Sequence, residues 1–268
     1  MPALTNVKLI VCDMDGTLLD SHSRLPQDFF AIFSRLKACG IRFAAASGRS
    51  VPTLFALFQE AAKNMVMIAE NGCCVTDGAQ PLKVSSFSRS ELAQVDEVSR
   101  RLTGIHDVFS GPQHAYIYRS TPEDARRYIH HFFESVVYID DISEICEEIC
   151  ELTVYDTVDA ETWSAPYFSK ALPGYKVMAG AKTWTNICLP EADKGSGVRC
   201  VQDYLGIGPE ETMVFGDYLN DADMMPHAYF SYAMANAHPD LRKLCRFETL
   251  SNDEDGVMYI VRQLLESL

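Results

Sequence analysis

The stretch VCDMDGTLLD, residues 11–20, ends an apolar run in two carboxylates one residue apart, followed by a glycine. Two such charges about 4 Å apart repel by about 4 kcal/mol at an effective dielectric near 20. A compensating charge is therefore expected elsewhere in the chain, and where it lies decides how the chain folds.

Upstream of this pair, residues 7–12 form a short apolar run interrupted by Lys8. That length suits a buried strand and is too short for a signal peptide or a spanning helix. Downstream, residues 27–39 have the periodicity of an amphipathic helix closed by Gly40. Residues 41–46 read as a second strand, 51–63 as a helix and 65–69 as another short apolar strand. This β-α-β-α-β succession predicts a parallel sheet with right-handed crossovers and helices on both faces. Ligands of such sheets bind beyond the carboxyl ends of the strands, where Asp13, Asp15 and Ser47 fall.

From about Asn71 the pattern changes. Residues 73–87 suggest a hairpin turning at Asp77 and Gly78, followed by shorter units that mix helices with strands near 115–119 and 151–155. After Trp184 the first pattern is expected to return, with a strand near 187–189, a helix at Lys194–Leu205 and a strand over 212–215 that again ends in Gly-Asp. The middle segment is then an insertion. The predicted division is core 1–82, inserted domain 83–185 and core 186–268.

Composition narrows the function. With 23 basic against 37 acidic residues, a formal charge of −14, the chain lacks the clustered cations that nucleic acid or an anionic membrane demands. Its 47% hydrophobic content supports a sizeable core. Nine cysteines without a C-x-x-C pair point to a reducing, cytoplasmic setting. Among them Cys12, Cys39 and Cys188 read as small core residues. Tyr, Phe and Trp of the insertion, including Trp163 and Phe168, read as core of that domain, and His130 with His131 as a solvated pair.

Further carboxylates recur at a later strand end. GDYLNDADMM supplies Asp217, Asn220 and Asp221, so several carboxylates converge on one rim. A hard divalent cation such as magnesium takes oxygen ligands from one or two carboxylates plus substrate phosphate. An EF-hand is excluded, since its glycine is sixth in the loop whereas Gly16 is fourth counting Asp13 as the first, and a strand precedes the loop. A lone Asp-x-Asp-Gly is ordinarily a solvated turn; the recurrence at other strand ends speaks against that here.

DMDGTLLD at 13–20, ASGR at 46–49, Lys194 in DKGSGV and GDYLND at 216–221 resemble, in order, the four motifs of the haloacid dehalogenase (HAD) superfamily. AENG at 69–72, AMANA at 233–237 and NDEDGV at 252–257, with the late insertion, resemble its Cof-type phosphatase branch. The resemblance implies an α/β fold, a Rossmann-like parallel-sheet core with an inserted α/β cap of the C2B type. It implies that Asp13 is the nucleophile, Asp15 the general acid and base, and Lys194 the charge that lets two anions approach. Thr17, Ser47, Gly48, Arg49, Asn71 and Asn220 would contact phosphate or substrate. Asp13, Asp15 through its carbonyl, Asp217 and Asp221 would form the metal site for Mg2+.

The expected protein is a cytoplasmic, magnesium-dependent phosphatase of small phosphorylated metabolites, with no nucleic-acid or membrane partner, as a monomer or small homo-oligomer. A phosphotransferase or phosphomutase with the same aspartyl-phosphate chemistry, and a non-catalytic metabolite-sensing module, are the alternatives.

Overall fold

The computed structural model describes residues 3–268. In chain order the elements are β1 (Leu9–Asp13), α1 (Phe29–Ala38), β2 (Arg42–Ala46), α2 (Val51–Phe58), β3 (Val66–Ala69), β4 (Cys74–Asp77) and β5 (Gln80–Val84). There follow α3 (Arg89–Ser99), β6 (Ile105–Ser110), β7 (Ala115–Tyr118), α4 (Glu123–Ile129), β8 (Val136–Ile139), β9 (Glu151–Asp156), α5 (Ser164–Ala171), β10 (Lys176–Ala181) and β11 (Trp184–Cys188). The chain ends with α6 (Lys194–Leu205), β12 (Thr212–Gly216), β13 (Phe230–Ala233), α7 (Pro239–Arg242), β14 (Phe247–Glu248) and α8 (Gly256–Ser267).

These elements form two compact units. The first comprises the chain up to Ser47, Glu60–Leu82 and Asp193–Leu268; the second comprises Gly48–Gln59 and Lys83–Ala192. The first carries an eight-stranded sheet in the order β14-β13-β12-β1-β2-β3-β4-β5. Its centre is β1, whose five residues are all buried and which pairs in parallel with β2 and β12. A strand covered on both faces must be apolar throughout, as LIVCD is until its last residue. Helix α1 buries Phe29, Ile32, Phe33 and Leu36, the i, i+3, i+4, i+7 stripe of an amphipathic helix. At the turn expected at Asp77 and Gly78, β4 is followed directly by β5, its neighbour in the sheet, and β4 also runs antiparallel to β3.

The second unit is a six-stranded sheet in the order β10-β11-β9-β6-β7-β8, antiparallel except for the β7–β8 pair. Leu92 of α3 and Phe168 of α5 pack on Phe109, Leu152 and Val154, while Ile129 of α4 packs with Val108, Ile117 and Trp184. Successive residues of β6 and β9 thus feed different clusters, as the two-residue period of a strand requires.

Several expectations change. The strand near 187–189 is β11, antiparallel to β9 and β10 in the six-stranded sheet, so the large sheet resumes only at β12. Its apolar content suits either sheet, and only pairing decides. The helix expected over 51–63 ends at Phe58 and continues as a 3-10 stretch, Gln59–Asn64. It belongs to the second unit, where the Thr53 hydroxyl donates to the Phe132 carbonyl at 3.2 Å. Cys39 is exposed as the C-cap of α1, one residue before Gly40 turns the chain. Trp163 is exposed, its indole N–H donating to the Thr103 carbonyl, whereas Phe168 is buried. Both His130 and His131 are exposed, and His130 Nε2 lies 2.7 Å from the Tyr138 hydroxyl. Among the described residues no helix is long and apolar enough to cross a membrane.

Candidate active site

Asp13 ends β1, and the chain then winds tightly: the Leu18 N–H donates to the Asp13 carbonyl and the Leu19 N–H to that of Met14. Gly16 makes this winding possible. Its φ is +83°, and a Cβ there would lie 2.4 Å from Asp217 Oδ2, so any larger residue would fill the space beside that carboxylate. The Thr17 hydroxyl donates to Asp217 Oδ1 at 3.0 Å. Asp217 stands one residue past β12, the parallel neighbour of β1, so strand pairing places the two carboxylates on one rim.

Asp221 organises the next turn. Its Oδ2 accepts the N–H groups of Asp217 at 2.9 Å and Tyr218 at 3.2 Å, while its Oδ1 accepts from Lys194 Nζ at 2.7 Å. Lys194 is the first residue of α6, just past the cap Asp193, whose Oδ1 accepts the Ser196 N–H at 2.5 Å. Its ammonium also reaches Asp13 Oδ1 at 2.5 Å. Lys194 is 1% exposed, Asp221 0% and Asp13 6%, so these ions have exchanged water for one another. Buried charge is tolerated only when paired in this way.

The pairing is incomplete. One oxygen from each of Asp13, Asp217 and Asp221 lies within 4.8 Å of the others, and one ammonium faces three carboxylates. Burial first, then the Asp221 charge, push the Asp13 carboxyl well above the usual range despite Lys194. The same causes push Asp217 up to about 6 against the Thr17 hydrogen bond. Burial acts to lower Lys194, but Asp13 and Asp221 outweigh it and hold the ammonium above its ordinary value. A cluster of hard oxygens short of positive charge, with a glycine cradle beside Asp217, fits a divalent cation held by Asp13 and Asp217.

Among the residues singled out in the sequence, Asp13, Thr17, Lys194, Asp217 and Asp221 therefore meet in one cluster of the first unit. Asp15 is exposed on the same loop and bridges to Leu19. Ser47, buried at the end of β2, donates its N–H to the Ile68 carbonyl and accepts the Asn71 N–H at 2.9 Å. Asn71 lies in a run of three left-handed residues, Glu70, Asn71 and Gly72, that turns the chain sharply after β3. Asn220 is half-buried at the start of the 3-10 segment Leu219–His227, and Gly48 and Arg49 belong to the second unit.

Two asparagines of the AMANA and NDEDGV motifs also act on the loop that follows Asp13. Asn236 Nδ2 donates to the Gly16 carbonyl at 2.8 Å, and its Oδ1 accepts the Asn252 N–H. Asn252 Nδ2 donates to the Leu19 carbonyl at 2.9 Å. Together they brace the loop carrying Asp15 and Thr17. The signal in the sequence is the asparagine at the fourth position of AMANA and at the head of NDEDGV.

The family model of haloacid dehalogenase-like hydrolases matches residues 10–261. The chain belongs to that superfamily, in its Cof-type branch, and is a HAD-type phosphatase. A curated relative, 5-amino-6-(5-phospho-D-ribitylamino)uracil phosphatase YbjI of Escherichia coli, is 27% identical over 269 residues, covering 97% of each chain. The crystal structure of a Streptococcus mutans protein has a TM-score of 0.87 at 24% identity, covering 97% of this chain and 99% of its own. A HAD subclass IIB sugar phosphatase has a TM-score of 0.80 at 20% identity, covering 96% of this chain and 98% of its own. Phosphatases of this superfamily generally use a divalent metal.

Proposed function

We propose that the protein is a cytoplasmic, magnesium-dependent phosphatase that hydrolyses small organic phosphomonoesters through an aspartyl-phosphate on Asp13. The observation that carries this reading is the buried Asp13 carboxylate held 2.5 Å from Lys194 Nζ at the end of the central strand. The ammonium keeps a desolvated carboxylate available as a nucleophile, and it can draw a phosphate dianion toward it.

In the first half-reaction an Asp13 oxygen attacks phosphorus as the bond to the ester oxygen breaks. Asp15 gives its proton to the departing alkoxide. In the second, Asp15 takes a proton from a water molecule that attacks the same phosphorus. The Asp13–phosphorus bond breaks, releasing inorganic phosphate and restoring the Asp13 carboxylate. The exposure of Asp15 suits a group that meets both an alcohol and water. Thr17, Ser47, Gly48, Arg49, Asn71 and Asn220 are assigned to holding phosphoryl oxygens or substrate. Asp221 fixes Lys194 and the turn carrying Asp217. A magnesium ion held by Asp13 and Asp217 would supply the positive charge the carboxylates lack and neutralise phosphoryl oxygens.

The E. coli relative named for a phosphorylated ribitylaminouracil supports small phosphorylated metabolites as the substrate class. Phosphate release from a panel of sugar phosphates, nucleotides and phosphorylated cofactors, with and without magnesium, tests the reading. Release that requires the metal and vanishes in Asp13→Asn is expected. Release that persists in Asp13→Asn overturns the nucleophile, and product that forms only with a second alcohol points to phosphotransfer.

A further inference from the structure

The first turn of α6 is assembled from residues that oppose a helix. Lys194 places a cation at the positive end of the helix dipole, and Gly195 and Gly197 are poor helix formers. The cap overcomes this: Asp193 binds the Ser196 N–H through its side chain and accepts the Gly197 N–H at its carbonyl, 3.1 Å away. Space explains the glycines. A Cβ on Gly195 would lie 2.1 Å from the Asp223 carbonyl oxygen, and one on Gly197 2.4 Å from Cγ2 of Ile68 in β3. A Cβ on Gly72, in the left-handed turn after β3, would lie 2.0 Å from the Asp193 carbonyl oxygen.

The geometry points to Gly195, Gly197 and Gly72 as positioning residues for the Lys194 ammonium, an inference that rests on the proposed role of Lys194 in the reaction. They seat the helix start against three neighbouring segments at once, two through backbone and one through the Ile68 side chain. One is β3, one the turn that holds Asn71 to Ser47, and one the 3-10 segment that contains both Asp221 and Asp223. That seat brings Nζ to 2.5 Å from Asp13 and 2.7 Å from Asp221. An added methyl at 195 or 197 must push the helix start outward, and a lysine moved by about 1 Å costs about 100-fold in rate.

Alanine at an ordinary helical glycine raises helix stability, so the sign of the effect separates this idea from propensity alone. Protein labelled with 15N-lysine reports the seat without any turnover: the buried Lys194 ammonium gives an exchange-protected signal, assigned by its loss in Lys194→Met. Gly195→Ala and Gly197→Ala are expected to shift or broaden it, and to lower kcat about 100-fold with KM within about threefold. Adding Ile68→Ala to Gly197→Ala removes the opposing methyl, and should restore both the signal and most of kcat. An unchanged signal with kcat within about twofold of wild type in both alanine variants overturns the inference. So does a Gly197→Ala defect that Ile68→Ala leaves in place in folded protein, and this pair decides the matter if Gly195→Ala does not fold. A wild type that shows the protected signal but releases no phosphate refutes the proposed function instead.

Discussion

Replacing Asp13 with asparagine should abolish turnover and yet stabilise the metal-free protein. At an effective dielectric of 20, Lys194 at 2.5 Å attracts Asp13 by about 7 kcal/mol, and each of Asp217 and Asp221, within 4.8 Å, repels it by at least about 3 kcal/mol. Attraction and repulsion nearly cancel. What remains is the cost of burying a carboxylate that is 6% exposed, several kcal/mol in proteins. Asparagine removes that cost while Lys194 keeps Asp221, so a gain of about 2 kcal/mol, or about 5 °C in Tm, is expected at pH 7.5 in chelator. The pH dependence follows from the raised Asp13 value. Its penalty is full above the folded-state value, fades as pH falls through it, and is gone below the unfolded value, where both variants are neutral. Magnesium should reverse the ranking, because it stabilises only the protein that binds it. Thermal unfolding across pH, with chelator and with magnesium, measures all three effects. An Asp13→Asn protein less stable than wild type at pH 7.5 in chelator would refute the reasoning and make this carboxylate a structural anchor.

Lys194→Met should have the opposite sign, losing activity and about 3–5 kcal/mol of stability, because it strands buried carboxylates; denaturant unfolding at pH 7.5 measures the loss. Asp107, buried in β6 with Ser99 donating to it at 2.5 Å, is raised by burial to about 6. Its ionisation weakens the fold progressively from the unfolded value near 3.8 up to about 6, so Asp107→Asn should stabilise at pH 7.5 by up to about 3 kcal/mol and have no effect at pH 3.5. Asn236→Ala frees the Gly16 carbonyl and the Asn252 N–H, both at an exposed edge. It should cost about 1 kcal/mol in stability but lower kcat about tenfold, and equal rates in steady-state assays would show that the brace is not needed.

Much of the core was legible because the strands that carry the cluster are buried on both faces and end abruptly in charge. VCD and VFGD announce both an apolar strand and the point where it meets the rim. Pairing was not legible where composition suits two sheets: β11 and the helix after Ser47 have ordinary apolar patterns, and only their tertiary partners assign them to the second unit. The brace by Asn236 and Asn252 was hidden for another reason. Each asparagine acts on a backbone carbonyl more than 200 residues away in sequence, and no local period records such a bond.

The central position of β1 has a consequence for biosynthesis. Thr17 and Asp217 are 200 residues apart, and β12, the strand that closes one side of β1, leaves the ribosome correspondingly late. At 5–20 residues per second, an apolar strand edge waits about 10–40 s for its neighbour, while the second unit, whose last segment ends at Ala192, can already be completed. The nascent chain therefore carries a sticky, half-paired sheet until β12 is made. Premature termination anywhere before β12 should yield aggregation or chaperone capture rather than a partial enzyme.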